Sequence, residues 1–477
     1  MPPAAQEPTR LRRRPASVVG AAAIAVVLVS LGAVAVASSA LTAIDEPAES
    51  GAMAQRVVEP AVAGDAVVVY NIGELRDDVA AAVSGAAADT TASWSPSRSA
   101  SVGLVSVRRG SGFVQQAPSG FRYPLIVTAM PTSAVSAVLD AEVAAVLSPS
   151  QVVMGERTAD LRGAQAGDEI DVIAADGSTV SFTVAMVGSD AQVGGAEVIM
   201  SPAAADRIGV TRVTRAVVWG FSSRTAIDRA LATHGVGRTL PETRAVRSWD
   251  PPRPDATLST ARTKELLGEF AYRVRSDGSM AQEPEWVATN LPSQRQLLND
   301  EVRIRARCHV RIVGALRSAL ADIADAGLGG AVDVGNSNTY GGCHNPRFNR
   351  ISGELGFVSR HAWAMALDIN TDTNAQGAVP QMDCRVVRIF RRHGFAWGGN
   401  FLRPDGMHFE WVGERRDQLS YPSRYCPNDG VSARGRSAPA VPDGRTQLFA
   451  DRTLTTGHDH AHLDDHALDD THGHGGD

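Results

Sequence analysis

Apolar and polar residues follow different patterns in successive parts of this chain. Residues 16–44 contain no charged side chain, and this run can cross a bilayer, since a spanning helix needs about 20 apolar residues. Arginines at positions 10, 12, 13 and 14 precede it and favour keeping that end in the cytoplasm. The pattern predicts a cytoplasmic N-terminus at 1–17 and a transmembrane segment at 18–41.

A cleaved secretory signal is the alternative interpretation of this apolar run. The sequence "AVA" at 35–37 has the small residues that suit cleavage. We favour a retained anchor, because the run is longer than the roughly 7–15 residues of a usual signal core. Under either interpretation the rest of the chain is exported, and we expect a single-pass membrane protein or a secreted one.

The next segments differ in composition and in period. Residues 45–100 are rich in Ala, Ser, Asp and Thr with weak periodicity, which indicates a stalk. Residues 101–245 contain alternating runs, the clearest of them flanking the turn dipeptide Asp176-Gly177. We therefore predict a β-rich accessory domain there, without a cluster of residues suited to chemistry. Its run "GERTADLRGAQAGDEIDVI" resembles the extracytoplasmic core of MacB/FtsX-type permeases, which implies a membrane-protein partner.

Prolines and helical spacing divide the remainder of the chain. The proline-rich stretch "SWDPPRPDATLS" indicates a linker, which we place at 246–280. Apolar residues at helical spacing in 309–330 and 384–393, each run followed by glycine, predict two helices in a domain at 281–427. Residues 428–477 end in a His- and Asp-rich tract typical of a disordered tail. The fold class is therefore α+β, with a small C-terminal domain.

One carboxylate lies in an otherwise apolar segment, "SRHAWAMALDIN" at 359–370. If this is a strand, Asp368 shares a face with small alanines, while the larger apolar residues form the opposite, core face. A buried carboxylate requires a partner or a metal. His361 lies just before the strand and could fold back beside it.

A second alternating segment, "RPDGMHFEW" at 403–411, supplies another imidazole. His408 and Glu410 lie on its polar face. If the two strands pair, His408 approaches His361 and Asp368. Two imidazoles and a carboxylate are a common ligand set for catalytic Zn²⁺, with a fourth position left for water. The pattern therefore predicts a zinc site.

Three further residues suit hydrolysis at such a site. Asp405, in a Pro-Asp-Gly turn, could take a proton from the attacking water and pass it to a leaving amine. Glu410 could orient a ligand imidazole. Arg347, on a loop in "GGCHNPRFNR", is the best candidate to stabilise an oxyanion.

The two segments also resemble the Ser-x-His-x6-Asp and Asp-x-x-His motifs of the VanY-type D-alanyl-D-alanine carboxypeptidase family, over about 285–427. The resemblance implies a hedgehog/DD-peptidase-like α+β domain with zinc on His361, Asp368 and His408. It implies Asp405 as general base and acid, Arg347 near the scissile carbonyl, and Ser359 near the substrate or ligands. Family members usually have Gly where this chain has Ala364, which predicts a strand farther from the substrate.

Tryptophans and cysteines complete the candidate residues. Trp397 could wall a substrate groove, although an aromatic residue in such a segment is more often part of the core. The four cysteines suggest two disulfides in an exported domain. Chain order favours Cys308 with Cys343 and Cys384 with Cys426, although three pairings exist.

The charge of the chain excludes one class of partner and leaves two functional hypotheses. A net charge of −6 gives no reason to expect nucleic acid. We predict a zinc peptidase, either a D,D-carboxypeptidase or an endopeptidase, that acts on peptidoglycan stem peptides outside the membrane. The alternative is a non-catalytic, membrane-anchored module that keeps the peptidase fold and binds cell wall or tethers a partner.

Overall fold

The computed structural model describes residues 59–62, 64–251, 253–333, 340–349, 356–420, 423–429 and 448–449. All of them belong to one compact unit that begins at Val57. The N-terminus at 1–17, the transmembrane prediction at 18–41 and most of the tail at 428–477 lie outside the described residues. Within the described ranges, no helix has both the length and the apolar character to cross a bilayer.

The first part of the described chain forms a ten-stranded sheet, which we call the accessory sheet. Its strands are β1 (Ala66–Asn71), β2 (Ser93–Arg109), β3 (Gly112–Gln116), β4 (Tyr123–Ala129), β5 (Gln151–Gly155), β6 (Glu169–Ile173), β7 (Thr179–Gly188), β8 (Val198–Met200), β9 (Val213–Trp219) and β10 (Thr243–Arg247). The helices around it are α1 (Asp77–Asp89), α2 (Thr132–Val138), α3 (Ala141–Val146), α4 (Glu156–Arg162), α5 (Asp190–Val193), α6 (Pro202–Arg207) and α7 (Arg224–Thr233).

The long strand β2 organises this sheet, because it pairs with β3, β4, β6 and β9. The strands follow the order β10-β1-β9-β2-β4-β8-β5-β7-β6, and the pairing of β6 with β2 closes six of them into a ring. Helices α1 and α7 cover one face of the β1–β9 region. The predicted hairpin around Asp176-Gly177 is confirmed as the turn between β6 and β7.

From residue 66 onward, the segment that we interpreted as a stalk belongs to this sheet and the helix that covers it. Residues 45–100 contain β1, α1 and the first part of β2, and the side chains of 66–69 are fully buried. The stalk interpretation is corrected here. A short strand buried on both faces is apolar throughout, so it lacks the alternation from which we recognised the later strands.

The remaining elements form the second half of the described chain. They are α8 (Thr260–Leu267), β11 (Tyr272–Val274), β12 (Met280–Gln282), α9 (Pro284–Asn290), β13 (Gln296–Leu297), β14 (Arg305–Ala306), α10 (Val310–Asp325), β15 (Tyr340–Gly342), β16 (Ala366–Ile369), α11 (Cys384–Arg392), β17 (Phe395–Trp397) and β18 (His408–Trp411). Four strands form an antiparallel sheet in the order β15-β16-β18-β17. The whole is a mixed α/β protein.

Helix α10 and two disulfides hold this smaller sheet in place. The apolar side of α10 is buried at Ile312, Leu316, Leu320 and Ile323, which confirms the helical spacing in the sequence. Disulfides join Cys308 to Cys343 and Cys384 to Cys426, the pairing that chain order favours. The first ties the start of α10 to the loop after β15, and the second ties the start of α11 to residues near the end of the domain.

The proline-rich segment is a packed part of the fold, which corrects its interpretation as a linker. Asp255 is buried and accepts hydrogen bonds from Arg391, from the backbone N–H of Trp397 and from Asn400. Prolines and polar residues are typical of exposed connections, but here the carboxylate of Asp255 satisfies the buried guanidinium of Arg391.

A buried ionic network joins the accessory sheet to α8. Lys264, the only lysine of the chain, is fully buried, and its ammonium lies 2.7 Å from Glu197 and 3.0 Å from Glu269. It also donates to the carbonyl of Pro124 on β4. Glu269 pairs in turn with Arg162 at the end of α4. Two buried cations thus face two buried carboxylates, and the network holds the two halves of the unit in one arrangement.

The substitution Lys264→Met tests this junction. It leaves Glu197 buried without its cation, and removing one partner of a buried pair costs about 3–5 kcal/mol. We expect the free energy of unfolding, measured by denaturant titration, to fall by about that amount.

The double variant Lys264→Met/Glu197→Gln is the matched control. Without the stranded charge, it should recover most of the loss, because the amide introduced at position 197 can still accept from the N–H of Ile126 as Glu197 does. Equal destabilisation of both variants would show that the ionic pairing does not hold the junction.

Candidate metal centre

Strands β16 and β18 bring two of the predicted ligands together. Asp368 and His408 are direct partners in the antiparallel register, so their side chains share one face of the small sheet. The Nδ1 atom of His408 lies 3.1 Å from Oδ1 of Asp368. The Nε2 atom of His361 lies 3.2 Å from the same oxygen. The three ligand atoms all lie within 4.8 Å of one another, and we call these residues the His-Asp-His cluster.

His361 reaches the cluster from a short 3-10 turn, Arg360–Trp363, that ends in an unusual backbone conformation. Ala364 follows this turn with a φ of +53°, in the left-handed region. Its N–H donates to the carbonyl of His361, and its carbonyl accepts from the N–H of His309. The reversal turns the chain from His361 directly into β16. Ala364 thus forms the bend before the strand, where a glycine is favoured for its backbone freedom.

A backbone carbonyl orients His361. Its Nδ1 lies 2.9 Å from the carbonyl oxygen of Cys343, which can only accept, so Nδ1 carries the proton. Nε2 is then the free lone pair. It is buried and faces Oδ1 of Asp368 at 3.2 Å. The disulfide of Cys343 to Cys308 steadies the carbonyl that sets this tautomer.

A carboxylate orients His408. Its Nε2 lies 3.3 Å from Oε2 of Glu410, which leaves Nδ1 turned toward Asp368. Glu410 pairs with the guanidinium of Arg360, and Arg360 also donates to Thr260 and to the carbonyl of Leu258. The ligand imidazole is therefore fixed through a buried chain of charged contacts that ends in the segment before α8.

The charges at the cluster favour a bound cation. Burial opposes ionisation of Asp368, but the adjacent His361 and His408 outweigh it and hold the pKa of this carboxyl well below its usual range. Burial also lowers the pKa of His408, yet its bonds to Asp368 and Glu410 dominate and raise the pKa to about 10. A cation placed between His408 and Asp368 would satisfy both groups.

The cluster fits zinc on its donor set and its spacing. Zinc at about 2.0–2.1 Å from tetrahedral N and O ligands places those ligands roughly 3.3 Å apart. The measured separations of 3.2 and 3.1 Å match this spacing. The nitrogen of each imidazole that faces away from the cluster lies against an oxygen, as is usual for metal-bound histidine.

Asp405 lies beside the cluster on the loop before β18. Its Oδ2 accepts from Gln376, while Oδ1 is buried and has no partner among the described residues. Burial and the nearby charge of Asp368 raise the pKa of Asp405 above its usual value. A Cβ at Gly398 would lie 2.5 Å from the carbonyl of Asp405, so a glycine there lets the loop approach closely. One carboxylate oxygen thus remains available for proton transfer.

Arg347 and Ser359 lie in the same cavity as the cluster, which has a volume of about 220 Å³. Backbone bonds place them together, because Ser359 N–H donates to the carbonyl of Arg347. Trp397 does not line this cavity and is fully buried, which corrects the interpretation that it walls a substrate groove and favours the core alternative. Its indole N–H donates to the carbonyl of Gly406 and so supports the loop that carries Asp405.

Several residues of the cavity could not be predicted from the sequence. Gln376 binds Asp405, and Arg360 holds Glu410, but neither stands at ligand spacing in the sequence. More unexpectedly, the accessory sheet supplies part of the wall through residues at the end of β1 and on β2 and β9, namely Tyr70, Asn71, Ile72, Gly73, Ser99, Thr214 and Arg215. No local pattern links these residues to a site about 150 or more positions away.

Comparison with protein families agrees with this geometry. Residues 352–411 match the family model described as D-alanyl-D-alanine carboxypeptidase. The matched segment contains the whole His-Asp-His cluster and Asp405. The C-terminal part of the chain is therefore similar to a peptidase, while the finer VanY-type resemblance stays a prediction. No curated protein matched the chain.

The substitution Ala364→Gly tests the bend after His361. A residue with a Cβ pays roughly 1 kcal/mol in the left-handed region, and glycine does not. We expect the free energy of unfolding to rise by up to about 1 kcal/mol, measured on the metal-free protein. Ala366→Gly, two residues on within β16, should lower it; if both variants lose stability alike, the bend is not strained.

The substitution Glu410→Gln tests the orientation of His408. An amide accepts a weaker hydrogen bond than a carboxylate, and loss of such a support typically lowers metal affinity by about 10–100-fold. We expect that loss in a competition titration of zinc. Glu414→Gln, at a more exposed ion pair with Arg416, is the control and should bind zinc as the wild type does. Unchanged affinity in Glu410→Gln would exclude the orienting role.

Proposed function

We propose that the C-terminal part of this chain is a zinc-dependent peptidase that hydrolyses peptidoglycan stem peptides outside the membrane. The observation that carries the proposal is the buried His-Asp-His cluster, with a second carboxylate beside it in one cavity. The similarity of residues 352–411 to D-alanyl-D-alanine carboxypeptidases supports both the reaction and the class of substrate.

The ligands would be Nε2 of His361, Nδ1 of His408 and a carboxylate oxygen of Asp368. Zinc bound there supplies a Lewis acid for the scissile carbonyl and lowers the pKa of water at the site. Cys343 and Glu410 hold the two imidazoles in the ligand tautomers. Because both supports contact the imidazoles directly, they would hold the two ligand nitrogens in position for the ion.

Asp405 moves the proton in this proposal. Its buried Oδ1 accepts a proton from the attacking water and returns it to the amine nitrogen as the C–N bond breaks. Gln376 holds the other oxygen, so that the carboxylate keeps one orientation through both transfers. Arg347 stabilises the negative charge that develops on the carbonyl oxygen.

The location and partners of the protein form the remaining part of the proposal. We infer that residues 18–41 anchor the chain in the membrane and that the peptidase acts on its outer side. The two disulfides support this compartment, because disulfides persist in oxidising surroundings. A membrane-protein partner would contact the accessory sheet, on the resemblance of residues 155–173 to permease ectodomains.

Asp405→Asn tests the proposed chemistry. The amide cannot accept the proton, and loss of a general base typically costs about 10²–10⁴-fold in rate. We expect kcat on a stem peptide, followed by mass spectrometry, to fall within that range while zinc content stays at the wild-type level.

His408→Ala is the comparison variant and should lose zinc as well as activity, because it removes a ligand. Chelation of the wild-type protein should abolish cleavage, and added zinc should restore it. Cleavage by Asp405→Asn at the wild-type rate would remove Asp405 from the mechanism. A wild-type protein that binds zinc but cleaves no stem peptide would instead favour the non-catalytic module.

A further inference from the structure

The accessory sheet forms a polar wall of the catalytic cavity. Across neighbouring strands, Arg244 on β10 pairs with Tyr70 on β1, Tyr70 pairs with Arg215 on β9, and Arg215 pairs with Ser97 on β2. Direct cross-strand partners share a face, so these four side chains form one row. Arg244 donates to the carbonyl of Asn400, which shows that the row faces the peptidase half.

The middle of this row lines the cavity. Tyr70 and Arg215 are among its lining residues, together with Ser99, two positions beyond Ser97 on β2. The hydroxyl of Ser99 is buried, and it has no hydrogen-bond partner in the part of the chain that the structure describes. A buried hydroxyl without a partner costs free energy, so this position favours a ligand that hydrogen-bonds to it.

The charges of the cavity indicate the kind of ligand. Four arginines line the cavity, Arg215, Arg347, Arg360 and Arg403, and Arg215 is the one that the accessory sheet supplies. Arg215 is 7% exposed and donates to the backbone carbonyl of Phe449 at 3.4 Å. A guanidinium is always charged and matches a carboxylate through two parallel hydrogen bonds. A cation and a hydroxyl donor on one wall together suit an anionic ligand.

We propose that Arg215 and Ser99 bind the carboxylate at the free C-terminus of the peptide substrate. This inference rests on the proposed function and narrows it, because it makes the enzyme a carboxypeptidase. The scissile carbonyl lies at the His-Asp-His cluster, and the terminal carboxylate lies against the accessory sheet. Water forms the new bond to the carbonyl carbon, the C–N bond breaks, and the proton passes to the departing amine. The products are a shortened peptide and the released C-terminal residue.

The same wall argues against cleavage in the middle of a chain. An endopeptidase must let the peptide continue on both sides of the scissile bond. Here residues of β1, β2 and β9 line one side of the cavity, and the buried Lys264 network and the Arg403–Glu242 pair hold the accessory sheet against the peptidase half. A peptide that ends at this wall satisfies its charge there, whereas a longer one would meet the sheet.

The test compares two peptides on the full-length protein. One is an N-acetylated stem pentapeptide that ends in two alanines with a free carboxylate, and the other is its C-terminal amide. The wild type should cleave the acid with a kcat/KM about 10–100-fold higher, which is the usual value of hydrogen bonds to a charged group. Mass spectrometry should show loss of the C-terminal residue alone.

Variants then locate the origin of this preference. Arg215→Gln should raise KM for the acid about 10–100-fold more than KM for the amide, so that the preference disappears. Arg215→Lys keeps the charge but not the paired geometry and should fall between the two. Ser99→Ala should raise KM for the acid by a smaller factor, roughly 3–10-fold, and only for the acid. Arg244→Gln, in the same row but outside the cavity, should affect both peptides equally.

Binding to the metal-free protein separates this subsite from a carboxylate that binds the metal itself. After chelation, calorimetry should still show tighter binding of the acid than of the amide, and Arg215→Gln should remove the difference. If the wild type cleaves both peptides equally, or cuts an internal bond, or if Arg215→Gln keeps the preference, the subsite is wrong while the peptidase remains. If neither peptide is cleaved, the proposed function itself fails.

Discussion

A buried carboxylate between two imidazoles is the interaction on which this structure depends. Asp368 lies on a strand whose other side chains are apolar, and its charge persists there because His361 and His408 stand within hydrogen-bond distance. The cost of burying that charge is offset only if both imidazoles hold their positions. The strand pairing of β16 with β18, the bend at Ala364 and the loop before β18 all serve to bring these three side chains to one point.

The groups that orient the two imidazoles must themselves be held in position. His361 depends on the carbonyl of Cys343, and thus on a disulfide to the start of α10. His408 depends on Glu410, which depends on Arg360, which binds the backbone of Leu258 in the segment before α8. Each contact satisfies a polar group that would otherwise be buried alone. A site of three residues therefore fixes the conformation of segments that are more than a hundred positions apart.

Alternation in the sequence predicted which way Asp368 and His408 face, because strand period follows from the core face of each segment. That the two strands pair was a condition of the prediction, and the resemblance supplied the complete ligand set. Met365, Leu367 and Phe409 had to be buried, so Asp368 and His408 had to face the other way. The stalk and linker interpretations were corrected for the opposite reason. Strand β1 is buried on both faces, and Asp255 is buried beside Arg391. Both result from long-range packing, which produces no periodic pattern in the local sequence. The residues of the accessory sheet that line the cavity were missed for the same reason.

The accessory sheet changes what the cluster can do, although it contributes no ligand. A metal site on an open strand face can accept an extended peptide in either direction, and its chemistry alone does not select a bond. Tyr70, Ser99 and Arg215 add a second wall to that face, and in our proposal the cation on this wall distinguishes a chain terminus from a chain interior. Specificity then comes from a buried polar group that is satisfied only by the right ligand, which discriminates more strongly than apolar shape does. In the proposed function, the sheet and the cluster form one site, because the sheet would select the bond that the cluster would hydrolyse.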